Sequence, residues 1–174
     1  EPYRRQRQMC IRDRVNGIGE TSATLITLAF QLTKKYLKNA SDKKLKKYDG
    51  PESVKELLMS KYLGAREEMV YMLSLDFDDN ILAINKISHG TFSAANIDKR
   101  FVLETAFRNK ARSVVLVHNH VNGIPVPSRD DLNTTKAVGD FFQGVNVHLL
   151  DHLIYTDEDI FSMAQVKKFA PLFI

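Results

Sequence analysis

Cysteine is nearly absent from this chain of 174 residues, and no long apolar run is present. A single cysteine, Cys10, cannot form a disulfide within the chain. It also excludes thiolate metal sites, including those of zinc deaminases, which need two cysteine ligands. No apolar stretch approaches the roughly 20 residues of a membrane span, and the N-terminus lacks the apolar core of a signal peptide. We therefore expect a cytoplasmic protein without membrane contact.

The net charge of +4 is unevenly distributed along the chain. Residues 15–47 contain seven lysines against two acidic residues, whereas residues 48–174 contain 13 basic and 17 acidic residues, a net charge of −4. The length allows one well-formed core and a small appendage. Any electrostatic attraction to nucleic acid is therefore expected within the first 47 residues.

Residues 1–14 differ in composition from everything that follows and have neither helical nor strand periodicity. They resemble the translated sequencing-adapter sequence found at the start of truncated reading frames. We therefore interpret residues 1–14 as a non-native leader, with a natural basic arm as the alternative. No function is expected from Cys10.

Gly17 and Gly19 form a Gly-x-Gly pattern ahead of an apolar helical pattern. Backbone N–H groups at such a helix start can face a phosphate. Together with Ala23, the pattern resembles the second half of a helix-hairpin-helix DNA-binding motif, and a plain turn before a helix is the alternative. The lysine run at 34–47 is typical of a solvated helix end or linker, with phosphate contact as the other reading. We predict that residues 15–47 are a helical remnant and linker, with Gly17 and Gly19 as candidate DNA contacts.

Residues 48–174 alternate between helical and strand patterns, which favours an α/β fold with a mixed sheet flanked by helices. We predict a helix from about Gly50 to Gly64, helices at 98–110 and 129–142, strands at 68–76, 81–87, 113–117 and 147–155, a hairpin turn at 78–80, a loop at 88–91, and one short helix after residue 157.

His118 and His120 follow the buried strand predicted at 113–117. Side chains two apart on an extended backbone share a face, so both imidazoles can converge on one point. A turn-rich loop then leads to Ser128 and Asp131. Two imidazoles and one carboxylate form a ligand set for a first-row metal, with one position left for water. The alternatives are two core histidines and a capping box, in which the Asp131 carboxylate turns back toward Ser128 and competes with ligation.

The spacing His118-x-His120-x7-Ser128-x2-Asp131 resembles the JAMM motif of JAB1/MPN+ metalloproteases. More narrowly, the pattern H-N-H-x-x-G-x-x-x-P-S-x-x-D and the later L-L-D-H-L-I resemble the RadC family. The resemblance implies a JAB/MPN domain over residues 48–174, with an architecture like that of cytidine deaminases. It also implies that a helix-hairpin-helix region precedes this domain.

The family resemblance implies one zinc ion per chain, bound by His118, His120 and Asp131 with water as the fourth ligand. One departure from the RadC pattern is Val121-Asn122, which stands where these proteins commonly have Pro-Ser. Because neither replaced residue ligates the metal, we expect metal binding to survive the change.

JAMM proteins also have a glutamate general base at the start of the first core strand. Alignment on Leu75-Asp76 assigns this role to Glu68, with Glu67 as the alternative. Neighbours in a strand face opposite ways, so only one of the two glutamates can point at the metal. The resemblance further implies that Ser128 donates a hydrogen bond to the oxyanion of the tetrahedral intermediate.

Two further sites contain histidine. His89 is predicted to lie in a loop near the cleft, and Asp151-His152 matches the family as a pair that supports either the ligands or the fold. The leading hypothesis is a zinc-dependent hydrolase that cleaves a peptide or isopeptide bond in a peptide or protein substrate. The alternative is a RadC-type DNA repair or recombination factor that binds DNA or protein without catalysis. An HNH nuclease is excluded, because the residues of that motif lie far apart in sequence and residues 48–174 are net acidic.

Overall fold

The computed structural model describes residues 17–42, 47–89, 97–121 and 123–173. The predicted leader at 1–14 lies outside the described residues, as does Asn122. The chain divides into two compact units, Glu1–Lys43 and Lys44–Ile174.

The first unit contains one long helix, α1 (Glu20–Asp42). Gly17 precedes it with a φ of 89°, a conformation that residues with a side chain rarely adopt. Several apolar side chains of α1 are exposed: Leu25, Ile26, Leu28, Leu32 and Tyr36. Within the described ranges, no helix combines the length and apolarity needed to cross a lipid bilayer. DNA contact through Gly17 and Gly19 stays a prediction.

The second unit contains the remaining helices and strands. A 3-10 turn (Pro51–Val54) leads into α2 (Lys55–Tyr62), and the elements that follow are β1 (Met69–Leu75), β2 (Ile81–His89), α3 (Lys99–Arg108), β3 (Ser113–Asn119), α4 (Arg129–Gln143), β4 (His148–Tyr155), β5 (Ile160–Ser162) and a 3-10 turn (Ala170–Leu172). Asp98 begins α3 as predicted, since its side chain accepts a hydrogen bond from the N–H of Phe101.

The five strands form one mixed sheet in the order β2-β1-β3-β4-β5. β1 pairs antiparallel with both β2 and β3, and β5 pairs antiparallel with β4. β3 and β4 are parallel, and α4 lies in the crossover that connects them. The predicted α/β class with a mixed sheet flanked by helices is confirmed.

Both faces of the sheet are covered. On one face, Val114 and Leu116 of β3 pack with apolar residues of α3 and α4, including Phe142. On the other face, Val115 and Val117 pack with apolar residues of α2. Every residue of β3 is therefore buried, as expected for a central strand between two helical layers.

Two predictions in this unit were wrong. Ser88 and His89 belong to β2 rather than to a loop, because they pair with Val70 and Met69 at the start of β1. The segment after residue 157 contains β5 and a 3-10 turn rather than one short helix. A strand of only three residues gives too little periodicity to be recognised, and its pairing with β4 is what defines it.

Candidate metal centre

The elements around His118 bring three potential ligands to one end of the sheet. His118 is the second-last residue of β3, and His120 directly follows the strand. Asp131 lies in the first turn of α4, at the other end of the loop that leaves β3. In α/β proteins, this junction between a parallel strand and the following helix is a common location for ligand sites.

The ligand atoms of these residues converge. The Nε2 atom of His118 lies 2.9 Å from Nε2 of His120 and 3.1 Å from Oδ1 of Asp131, and Nε2 of His120 lies 3.4 Å from Oδ2 of Asp131. Bonds of about 2.0–2.1 Å in a tetrahedral zinc site place neighbouring ligand atoms about 3.4 Å apart. The three side chains therefore fit a single cation with little opening of the cluster, and imidazole with carboxylate suits several first-row metals.

The ring of His120 is oriented by the loop that follows it. Its Nδ1 atom lies 2.7 Å from the carbonyl oxygen of Ile124. Because a carbonyl oxygen can only accept, Nδ1 must carry the hydrogen and donate it, which leaves the lone pair on Nε2. A backbone carbonyl thus selects the tautomer of His120 that can bind a metal.

Asp131 takes part in both roles that the sequence suggested. Its Oδ2 atom accepts a hydrogen bond from the Ser128 N–H at 2.7 Å, and its own N–H donates to Ser128 Oγ at 3.1 Å. This is a complete capping box, yet Oδ1 of the same carboxylate still faces His118. The capping box therefore does not turn the whole carboxylate away from His118, because a carboxylate has two oxygens and enough lone pairs for both contacts. Whether capping competes with metal ligation stays a prediction.

Electrostatics favour the carboxylate form of Asp131. Burial by itself would raise the pKa of Asp131. The interaction with His118, together with the hydrogen bonds from Ser128, outweighs burial and holds this pKa well below its usual value. The position of Asp131 in the first turn of α4 adds the positive end of the helix dipole.

Glu68 and Glu67 directly precede β1, where the side chain of Asn119 connects the end of β3 to the start of β1. The Asn119 side chain accepts a hydrogen bond from the Met69 N–H at 2.7 Å and donates to the Glu67 carbonyl at 3.2 Å. Glu68 is half-buried, whereas Glu67 is exposed. Ser128 is exposed at the start of α4, and the cap uses a lone pair of its oxygen rather than its O–H hydrogen.

His152 and Thr135 also belong to this site. The sequence left open whether Asp151-His152 supports the ligands or the fold, and Thr135 was not predicted to take part. His152 is fully buried, and its Nε2 atom lies 2.8 Å from Nδ1 of His118. Complete burial lowers the pKa of His152 well below its usual value, which favours the neutral ring. Thr135, one helical turn after Asp131, lies 2.6 Å from the other nitrogen of His152. Residues four apart lie on the same face of a helix, so the spacing between Asp131 and Thr135 is the sequence feature from which Thr135 could have been predicted.

A single extra residue in β4 determines that His152 faces the ligands. Val114 pairs with Leu149, but the next residue of β3, Val115, pairs with Asp151. Leu150 is therefore a bulge, which shifts the alternation of β4 by one residue. As a result His152, paired with Leu116, lies on the same face as His118. His89, by contrast, is brought into the sheet opposite Met69, at the edge strand β2.

A cavity of about 390 Å³ opens beside this centre. Its lining includes His120, Asn119, Tyr62 and Tyr155. The rings of the two tyrosines stack with centroids 5.1 Å apart, and the Tyr62 hydroxyl donates to the Val117 carbonyl at 2.9 Å. The wall of the cavity is therefore held in place by contacts with the core of the domain.

Comparisons with known proteins point to one family. A family profile described as RadC-like JAB domain matches residues 48–168. A UPF0758 protein of Clostridium perfringens is 28% identical over 151 residues, which cover 87% of this chain and 66% of that protein. One of Alkaliphilus oremlandii is 32% identical over 155 residues, covering 88% and 66%. One of Finegoldia magna is 30% identical over 160 residues, covering 90% and 71%.

The chain spans about two thirds of the length of these curated relatives. The matched profile covers more than half of the chain, and it includes the ligands that converge at the end of β3. The protein therefore belongs to the RadC family and carries a RadC-like JAB domain, which relates it to the JAMM proteins.

Proposed function

We propose that this protein is a metal-dependent hydrolase of the JAMM type, which cleaves a peptide or isopeptide bond with zinc held by His118, His120 and Asp131. The observation that carries the proposal is the convergence of two imidazole nitrogens and one carboxylate, all within 3.4 Å of one another. A zinc ion bound there supplies an acidified water molecule and polarises the scissile carbonyl.

Glu68 is the proposed general base. Val70 pairs with His118 in the antiparallel register of β1 and β3. If the two-residue alternation continues past the strand ends, Glu68 comes opposite His120 on the face that carries the ligands. In this role Glu68 takes a proton from the attacking water and delivers it to the leaving amine.

Ser128 is the proposed oxyanion donor. The capping box holds Ser128 beside Asp131 and fixes its backbone at the start of α4. Its O–H hydrogen can then donate to the oxygen that becomes negative when the carbonyl is attacked. The cavity beside His120 has the size of a site for a small ligand or a few peptide residues, which supports substrate binding there.

Metal analysis of the purified protein tests the site. We expect about one zinc ion per chain in the wild type and loss of zinc in His120→Ala, because a ligand set reduced to two side chains cannot hold the ion. His148→Ala is the matched control, since His148 lies at the opposite end of β4, paired with Ser113. A wild-type protein that binds no zinc, or a His120→Ala variant that keeps it, would contradict the site.

Catalysis is tested separately with fluorogenic substrates that contain either a peptide bond or an amide of the lysine ε-amine. Glu68→Gln is expected to keep its zinc and to lose activity by a factor of about 10²–10⁴, the usual contribution of a general base. Glu67→Gln serves as the control, because this neighbour is exposed. Equal activity of the two variants would rule out Glu68 as the base.

The second candidate function is a DNA-associated factor that acts without catalysis. It is favoured by the seven lysines of residues 15–47 and by the Gly-x-Gly turn before α1. Its signature is an affinity for double-stranded DNA that falls with salt and disappears on deletion of residues 1–47. Unchanged DNA affinity after this deletion would contradict DNA binding by the lysines of residues 15–47.

A further inference from the structure

Three hydrogen bonds connect the ligand His118 to the backbone of the helix that carries Asp131. Thr135 Oγ1 lies 2.6 Å from the Asp131 carbonyl oxygen and 2.6 Å from Nδ1 of His152. The other ring nitrogen of His152 lies 2.8 Å from Nδ1 of His118. The side chains that these hydrogen bonds connect are all buried, so water does not take the place of any of the hydrogen-bond partners.

The Asp131 carbonyl determines the direction of every bond in the chain. A carbonyl oxygen can only accept, and at 2.6 Å it is a much closer acceptor than the Met163 sulfur at 3.9 Å, so Thr135 donates its single hydroxyl hydrogen to the carbonyl. Nδ1 of His152 must then be the donor to the Thr135 oxygen. Complete burial favours the neutral form of His152. A neutral ring that is protonated on Nδ1 accepts on Nε2, so the bond to His118 is donated by His118 Nδ1. The lone pair of His118 is thereby left on Nε2, the atom that faces His120 and Asp131.

We propose that Thr135 and His152 are positioning residues, which hold His118 in the one tautomer and ring orientation that can bind the metal. This inference rests on the proposed metal site. The partner of a ligating histidine commonly fixes its tautomer in this way, and losing such a partner typically weakens metal binding about 10–100-fold. His120 has the same arrangement in a shorter form, since its Nδ1 donates directly to the Ile124 carbonyl.

The geometry explains why a histidine is needed at position 152. The side chain at position 152 must accept the hydrogen bond from His118 Nδ1 and must donate a hydrogen bond to Thr135 Oγ1. Neutral imidazole has one donor and one acceptor on opposite sides of a rigid ring, which spans the distance between β3 and α4. A phenyl ring of similar size would fill the space and make neither bond.

Four variants separate positioning from packing. His152→Phe removes both bonds, and His152→Gln restores an acceptor on the side of His118. Thr135→Val removes only the hydroxyl and keeps the shape of the side chain. Thr134→Val is the matched control on the same turn of α4, because the buried Thr134 hydroxyl makes no hydrogen bond within the described part of the chain.

The first measurement is the zinc dissociation constant, determined by competition with a chromophoric chelator. We expect His152→Phe to raise it about 10–100-fold, with a partial recovery in His152→Gln. Thr135→Val should cause a smaller rise, because His152 is still present but free to change its tautomer. Thr134→Val should match the wild type. The unfolding temperature of each metal-free variant is recorded in parallel.

The second measurement uses the metal-free protein, whose histidine nitrogens are labelled with ¹⁵N for NMR spectroscopy. In the wild type and in Thr134→Val, the proton of His118 should reside on Nδ1. In Thr135→Val, the spectrum should show a mixture of the two tautomers of His118. A purely structural role of Thr135 would lower the unfolding temperature without this spectroscopic change.

Two results would overturn the proposal. One is a Thr135→Val variant that binds zinc as tightly as the wild type and retains the wild-type tautomer. The other is a His152→Phe variant that loses thermal stability but keeps its zinc affinity. A wild-type protein that binds no zinc would instead overturn the proposed function, and the NMR spectra of the metal-free protein would still decide the tautomer of His118.

Discussion

Asp151 and His152 are neighbours in β4, and both are buried, but they serve opposite faces of the sheet. Asp151 is paired with Val115, on the face covered by α2, and His152 is paired with Leu116, on the face covered by α4. The carboxylate of Asp151 accepts four hydrogen bonds, donated by the hydroxyls of Tyr48 and Ser162 and by the N–H groups of His152 and Ala164.

Asp151 and His152 differ in which parts of the protein contain their hydrogen-bond partners. Three of the four donors to Asp151 come from the segment before α2, from β5 and from the segment after β5, so this carboxylate joins parts of the chain that are far apart in sequence. The partners of His152 are a proposed metal ligand and the helix that carries another. We infer that Asp151 mainly stabilises the fold, whereas His152 mainly tunes the metal site.

The largest effect that tests this comparison is expected from Asp151→Ala. The variant leaves four donors without their acceptor, two of them in buried and two in half-buried residues, so the free energy of unfolding should fall by about 3–5 kcal/mol. Denaturant titration monitored by circular dichroism measures this loss. At a low temperature at which Asp151→Ala remains folded, its zinc affinity should differ from that of the wild type by less than the zinc affinity of His152→Phe does.

The control for Asp151→Ala is Asp140→Ala, which removes an exposed carboxylate from α4. A surface substitution of this kind usually changes the free energy of unfolding by less than about 0.5 kcal/mol. If Asp151→Ala were as stable as Asp140→Ala, the cluster around Asp151 would not hold the fold. If it lost zinc affinity as strongly as His152→Phe, the two faces would not be separable.

A smaller effect is expected from Tyr48→Phe. Its hydroxyl donates to Asp151 at 2.8 Å, and its loss leaves one oxygen of Asp151 with a single donor, Ser162. The free energy of unfolding should fall by about 1–2 kcal/mol, with zinc affinity unchanged. Tyr36→Phe, on the exposed side of α1, is the matched control and should leave the free energy of unfolding unchanged.

The pH dependence of stability sharpens the Tyr48 prediction. Burial, and then the charge of Asp151, raise the pKa of Tyr48 far above the ordinary tyrosine value of 10.0. The unfolded chain therefore releases this proton at a lower pH than the folded protein does. The contribution of Tyr48 to stability is complete below pH 10 and is lost as the pH rises above it. Wild type and Tyr48→Phe should converge in stability at high pH, and parallel curves would contradict the argument.

Much of this molecule could be read from local patterns. The periodicities of residues 48–174 predicted the α/β class and most helices and strands, and the helix predicted at 98–110 does begin at Asp98. The spacing of His118, His120, Ser128 and Asp131 predicted the RadC family, and the family is confirmed. These features depend on residues that are close together in sequence, because the local backbone geometry determines the directions in which their side chains point.

Other features required the contacts between distant segments. β5 is defined only by its pairing with β4, and Ser88 and His89 join β2 only because β1 lies beside them. Strand pairing of this kind depends on packing across the whole sheet, which no short stretch of sequence contains.

The convergence of His118, His120 and Asp131 combines both levels. Alternation along β3 and the capping motif of α4 were visible in the sequence, and the crossover between β3 and β4 brings them to one point. The sequence could not decide whether Asp151 or His152 faces the ligands, because regular alternation from Leu149 would turn Asp151 toward them instead. The bulge at Leu150 reverses that assignment. Strand register is set by the packing of two sheet faces, and a shift of one residue exchanges those faces.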